Sequence, residues 1–240
     1  MFTRREPTHT IASLSRNAPK QIIVSPHFDD AALSLAHLLQ RAGALATVVT
    51  VCSGVPPAGA AVSDWDDQSG FASGTQSARA RAREDVAACA LTRSRRIGLR
   101  HLDQPYRAGA DLPASAIRTD VARLLGPTGI LWIPASIGDH ADHVAATVAL
   151  LPLARELAAA RVRVYADLPY AGWSSYDLPT RIAEALPGLQ AKDVHLRGAA
   201  FRRKIAAVRC HASQLVPLGV GAPDMLRAEG VLARERVWAA

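Results

Sequence analysis

Two short runs in the chain bring imidazoles and carboxylates together. The first is His27-Phe28-Asp29-Asp30 and the second is His140-Ala141-Asp142-His143. Nitrogen and oxygen donors of this kind suit zinc, and a catalytic zinc takes three protein ligands and keeps one position for water. Neighbouring residues on a turn diverge, so one of Asp29 and Asp30 can ligate while the other faces the water. His140 and His143 are spaced close to one helical turn, so one can ligate while the other reaches the substrate. Each run also has a plainer reading. Asp30 and Asp142 fit helix N-caps, and a loop histidine is commonly a hydrogen-bonding residue. What favours a metal site is that both runs come directly after a predicted strand.

The elements that must position them alternate along the chain. Residues 21–25 form a short apolar strand, 31–42 a helix and 45–52 a second strand, a β-α-β unit whose parallel strands need such a crossover. Helices come next at 76–91, 114–125 and 142–160, the last with Pro152 inside it. Strands are expected at 96–102, 129–134 and 161–165. Beyond Pro169 the pattern weakens to a helix at 180–186, a strand at 194–196 and a helix at 200–214. Alternating strands and helices indicate an α/β fold, a single Rossmann-like domain with a mostly parallel sheet flanked by helices and a smaller C-terminal extension. Its expected limits are an arm at 1–19, the domain at 20–215 and a tail at 216–240. Such sheets bind ligands at the carboxyl ends of their strands, where both His/Asp runs fall. Residues 53–75 are rich in Gly, Pro, Ala and Ser and include Trp65 and Phe71. A loop this long is commonly functional, and its start on the same rim suggests a lid.

Bulk properties narrow the function classes. With 240 residues and 49% hydrophobic content, the chain can bury an ordinary core. Cys52, Cys89 and Cys210 are widely spaced and odd in number, so neither a disulfide framework nor a cysteine zinc site is indicated. No apolar run follows Arg4 and Arg5, and none is long enough to span a membrane, so a cytoplasmic protein is expected. The net charge of +7 raises nucleic-acid binding. Yet arginine dominates, with Lys20, Lys192 and Lys204 the only lysines, which together with abundant alanine suggests coding bias rather than a nucleic-acid surface. There is no G-x-S-x-G elbow and no phosphate-binding glycine loop after the first strand.

The two runs resemble the signature motifs of the PIG-L/LmbE-like family of zinc-dependent N-acetylglucosaminyl deacetylases. That family carries an H-P-D-D-E-type motif and a later H-x-D-H motif, matched here by His27-Phe28-Asp29-Asp30-Ala31 and His140-Ala141-Asp142-His143. Weaker marks are Arg83-Glu84-Asp85, Leu102-Asp103 with Tyr106-Arg107, the stretch from Tyr165 to Tyr170, and Lys204 with the later His211-x-Ser213-Gln214. The version around the first motif is similar to members acting on antibiotics, teicoplanin-type glycopeptide deacetylases among them. The resemblance spans residues 20–215 and implies one zinc per chain held by His27, Asp30 and His143. It implies Asp29 as general base and His140 as oxyanion stabiliser or proton donor to the leaving amine. Two departures stand out: Ala31 replaces the acid that ends the first motif, and Ile137-Gly138-Asp139 lacks a tyrosine that some members carry there.

The implied reaction removes an acetyl or other acyl group from an amino-sugar-containing small molecule, such as a glycosylated metabolite. Nucleic-acid and membrane partners are not expected. Arg83, Asp103 and Arg107 are candidates for sugar contacts, with ordinary surface charge as the alternative. Trp65 and Trp173 lie in loops and could stack on a sugar, whereas Trp132 lies in a strand and reads as core. An amidase of the same family acting on a non-sugar amide, a sugar carrier without activity and a nucleic-acid-binding module are the competing readings.

Overall fold

A computed structural model describes residues 13–15, 17–136, 140–172, 182, 184–219, 225–228 and 230–240. Its sheet contains β1 (Gln21–Ser25), β2 (Ala46–Thr50), β3 (Arg95–Gly98), β4 (Ile130–Pro134), β5 (Val162–Tyr165), β6 (Gln190–His195) and β7 (Arg234–Ala239). Their order is β3-β2-β1-β4-β5-β7-β6. The first five are parallel, and β7 runs antiparallel to both β5 and β6. β1 and β2 are buried along their whole length, as strands covered on both faces must be. Alternate β1 residues serve opposite faces: Ile22 and Val24 pack with one cluster and Ile23 with another. The first cluster includes Ile117, Val121 and Leu125 of α5 (Ala114–Leu125) and Ala146, Ala149 and Leu150 of α6 (Ala141–Glu156).

The opposite face carries α1 (Asp30–Ser34), α2 (Ala36–Ala42), α4 (Gly74–Thr92) and α7 (Gly198–Cys210). Two shorter helices are α3 (Asp64–Gln68) and α8 (Ala212–Leu215). α3 lies inside the segment expected to be a lid, so that segment is not purely irregular. Cys52, Cys89 and Trp132 are core residues as expected, and the Trp132 indole donates to Gln21 Oε1 at 2.8 Å. No helix among the described residues is long and apolar enough to cross a membrane.

Two sequence expectations change. The helix expected at 31–42 is broken at Leu35, and the cause lies far away in the chain. The Ala36 and His37 amides donate to Glu235 Oε1 and Oε2 at 3.0 and 3.2 Å. The same carboxylate takes His37 Nδ1 at 2.5 Å and Lys204 Nζ at 2.8 Å. Glu235 therefore accepts the amides that the break frees. It stands on β7, so part of the stretch set apart as a C-terminal tail lies inside the sheet. Of the helix expected at 180–186, residues 182, 184 and 185 are helical and 180, 181 and 183 lie outside the described residues, as do Trp173 and residues 137–139.

Candidate metal centre

The sheet reverses its winding between β1 and β4, which makes the crevice beyond their carboxyl ends the expected ligand site. The turn after β1 is held by its own side chains. Ser25 Oγ donates to the His27 carbonyl at 2.6 Å and accepts the Ala31 amide at 3.2 Å. The His27 amide donates to Asp30 Oδ2 at 2.7 Å. After β4, His140 is the N-cap of α6, its Nδ1 accepting the Asp142 amide at 3.3 Å. This sets aside the reading of Asp142 as a cap and leaves its carboxylate for other contacts.

Single ligand atoms of His27, Asp30 and His143 lie within 4.8 Å of one another, and all three residues are buried. His143 Nδ1 pairs with Asp167 Oδ1 at 2.6 Å, leaving Nε2 without a hydrogen bond, 3.4 Å from Asp30 Oδ1. A ring that gives its N–H to a carboxylate and keeps a bare second nitrogen is oriented as metal-binding histidines are. His27 Nε2 lies 3.2 Å from Asp142 Oδ2 and 3.4 Å from Asp103 Oδ1, which leaves Nδ1 on the Asp30 side, 3.7 Å from Oδ2.

The electrostatics call for a cation. Burial draws His27 down, but Asp103, Asp142 and Asp30 outweigh it and hold the ring well above an ordinary histidine. His143 is likewise raised, with Asp30 and Asp167 overcoming burial. Asp30 is raised by burial and by neighbouring Asp29. A divalent ion would relieve this crowding of carboxylates, so the donor set fits zinc in both type and charge.

A second group, His27, His140 and Asp142, also brings ligand atoms together. It is less suited to a cation, because Arg107 Nη1 sits 2.6 Å from Asp142 Oδ1 and the Gln104 amide holds Oδ2 at 3.0 Å. Asp142 is better described as the residue that orients His27.

Asp29 and His140 line a cavity of about 210 Å³ together with His27, Asp30, Asp103 and Tyr170. The Asp29 carboxylate makes no hydrogen bond or ion pair among the described residues. The His140 ring centroid is 4.9 Å from that of His27 and 5.2 Å from that of His143. Burial and those two rings push His140 down to about 4. It is therefore neutral at pH 7, and with Nδ1 accepting a hydrogen bond its proton lies on Nε2.

The expected sugar-contact residues separate. Asp103 and Trp65 line the cavity. Arg83 does not: it is exposed on α4. Arg81, two residues earlier, is buried at the cavity wall, bonded to Asp103 Oδ2 at 3.0 Å and 5.9 Å from the Phe28 ring. Helical phase held the clue, since Ser77, Arg81, Asp85, Ala88 and Cys89 share the buried face of α4. Arg107 stands behind Asp142 and bonds the Leu102 and Ala110 carbonyls, so it supports the site instead of facing it. Asp167, which comes after β5 on the same rim, lies within the family-like stretch from Tyr165 to Tyr170, but the sequence reading gives it no role of its own.

Ala31 is buried in the apolar cluster of Ile23, Leu35 and Cys89. Beside it is a narrow cavity also lined by Asp85 and His211, whose two ring nitrogens have no hydrogen-bond partner. Asp85 bonds Cys89 and Arg96 instead.

No family model matches the chain, and no curated protein is significantly similar in sequence. Solved structures are. The antimicrobial A40926 pseudoaglycone deacetylase Dbv21 is 29% identical, with 93% of this chain and 97% of that one covered and a TM-score of 0.72. The zinc-inhibited form of teicoplanin deacetylase Orf2 is 25% identical over 91% of this chain and 97% of that one, with a TM-score of 0.74. A deacetylase–teicoplanin complex is 25% identical over 92% and 97%, with a TM-score of 0.67. In fold, in sequence over most of its length and in its His/Asp/His donor set, the chain is similar to the deacetylases of glycopeptide antibiotics, the branch that its two motifs resemble.

Proposed function

We propose that the protein is a zinc-dependent deacetylase that removes the N-acetyl group from an amino sugar carried by a glycosylated metabolite. The observation that supports it most is the buried His27, Asp30 and His143 triangle with the unpaired Asp29 carboxylate beside it at one cavity. The likeness to deacetylases of glycopeptide antibiotics supplies the substrate class.

His27, Asp30 and His143 would hold the zinc, which supplies an acidified water and a positive charge facing the amide oxygen. Asp29 takes the proton from the attacking water, a general base's role. His140, neutral with its proton on Nε2, donates a hydrogen bond to the oxygen that gains charge as the carbonyl carbon becomes tetrahedral. Asp29 then returns its proton to the amine nitrogen as the C–N bond breaks. Protons balance: the water's two hydrogens end on the amine and on the acetic acid formed. Arg81 and Asp103 form a bonded pair at the cavity wall that can meet adjacent sugar hydroxyls, one donating and the other accepting. Trp65 offers an indole face to the sugar ring.

The test is acetate release from an N-acetylglucosaminyl glycopeptide by zinc-loaded protein. Release that stops in the His143→Ala variant is the expected result. No release by the wild type, or equal release by the variant, overturns the reading.

A further inference from the structure

The cavity has two walls far apart in sequence. One is α3, with Ser63, Trp65 and Asp66; the other is α8 and the turn beyond it, with Gln214 and Leu218. One hydrogen bond joins them: the Trp65 indole N–H donates to Gln214 Oε1 at 2.7 Å. Each end of this crossbar is held differently. Gln214 is buried, and its Nε2 donates to Ser213 Oγ at 3.0 Å. Ser213 in turn gives its amide and hydroxyl to Glu84 on α4, at 2.9 and 2.7 Å. With Nε2 engaged there, Oε1 has a fixed direction. The α3 side is held by Asp66, which accepts from Ser77 Oγ at 2.5 Å and from the Tyr106 hydroxyl, by the Ser63 amide, which donates to that hydroxyl at 3.3 Å, and by the packing of Trp65 on the cluster of Leu33, Leu168 and Phe201. The chain on either side of α3 is irregular, with left-handed glycines at Gly59 (φ 85°) and Gly70 (φ 79°).

We propose that Trp65 and Gln214 form a latch across the cavity mouth that determines how bulky a substituent on the sugar the site accepts while closed. The proposal rests on the deacetylase reading. At about 210 Å³ the cavity is smaller than the roughly 300–1,000 Å³ of sites for drug-sized ligands, so it suits one acylated hexosamine. A substrate no larger than that fits beneath the closed latch and gains from it. A sugar bearing a bulky aglycone crosses the line between Trp65 and Gln214 and binds with the latch open. Ser63 and Asp66, both held by Tyr106, are the tether about which α3 swings, and the latch is the part that yields.

Trp65→Phe keeps an aromatic ring and removes the donor, and Gln214→Leu removes the acceptor. Each should raise KM for N-acetylglucosamine about fivefold at near-constant kcat, the worth of one hydrogen bond of about 1 kcal/mol. KM for an aryl-substituted N-acetylglucosaminide should stay within about twofold, and the double variant should match either single one, as for two halves of one interaction. Equal KM rises for both substrates, additive effects, or a lower Tm with unchanged KM would overturn the latch. Amide hydrogen exchange over residues 64–72 gives a readout independent of turnover. It should quicken in both variants, and unchanged exchange refutes the proposal. If the wild type turns over neither substrate, the deacetylase reading falls and exchange alone decides the latch.

Discussion

Asp29 and Asp30 are adjacent, yet their surroundings give them different chemistry. Asp30 is tied to the His27 amide and faces His143, whereas Asp29 has no partner among the described residues. Asp29→Asn should therefore retain zinc and lose about 10²–10⁴ in kcat, since an amide cannot accept the water's proton. Zinc analysis beside single-turnover rates checks this, and a loss below tenfold removes Asp29 from the base role. Arg107 acts one step back: its guanidinium holds Asp142, which holds His27. Arg107→Ala should weaken zinc binding about 10–100-fold, the range for residues that orient ligands, as chelator competition would measure. These supporting roles were hard to read in the sequence. His27, Asp29, Asp30, His140 and His143 announce themselves by type and spacing. Arg83 and Arg107 looked like substrate contacts because an arginine's sequence position says nothing of which way it faces. Only the phase of α4 separates Arg81 from Arg83.

At the level of elements, β1, β2 and β4 were legible because their runs are apolar, and α5 because Pro113 and Gly126 bound it, whereas α3 lies in a segment that read as a loop. The break between α1 and α2 was not legible, because nothing at Leu35 itself encodes it. The carboxylate responsible sits on β7 and is buried with Lys204. Removing one partner of a buried pair costs about 3–5 kcal/mol, so Glu235→Gln should lower Tm sharply, as calorimetry would record. The pH dependence has a definite sign. Lys204 and His37 hold Glu235 below its ordinary value of 4.5 against the opposing effect of burial. Its stabilising contribution is complete above about 4.5 and declines as the pH falls through the lower folded value. Lys204 is itself lowered by burial, with Glu235 opposing that shift. Wild-type stability should thus fall in acid with a component that Glu235→Gln lacks, and urea unfolding between pH 3 and 6 would reveal it. Equal acid slopes in both proteins would remove Glu235 from the account.

For the molecule as a whole, zinc bound at the proposed site would be coupled to the fold. The three proposed ligands follow β1 and β4, and Asp167 follows β5, so only the assembled sheet presents them together. A ligand that binds only the folded state stabilises it by RT ln(1 + [L]/Kd), about 2.7 kcal/mol at a hundredfold excess over Kd. Added zinc should raise Tm in the wild type and leave His143→Ala unmoved, which differential scanning calorimetry can test. The net charge of +7 carries less information, because arginines such as Arg81 and Arg107 are spent inside the molecule on Asp103 and Asp142. The position of β7 has a consequence for the order of assembly. Asp30 is translated about 200 residues before Glu235, which fixes the helix break beside it. A ribosome moving at roughly 5–20 residues per second takes on the order of ten seconds or more to cover that distance. Throughout that interval the acceptor of the Ala36 and His37 amides is missing, so the break between α1 and α2 is completed only when β7 takes its place between β5 and β6.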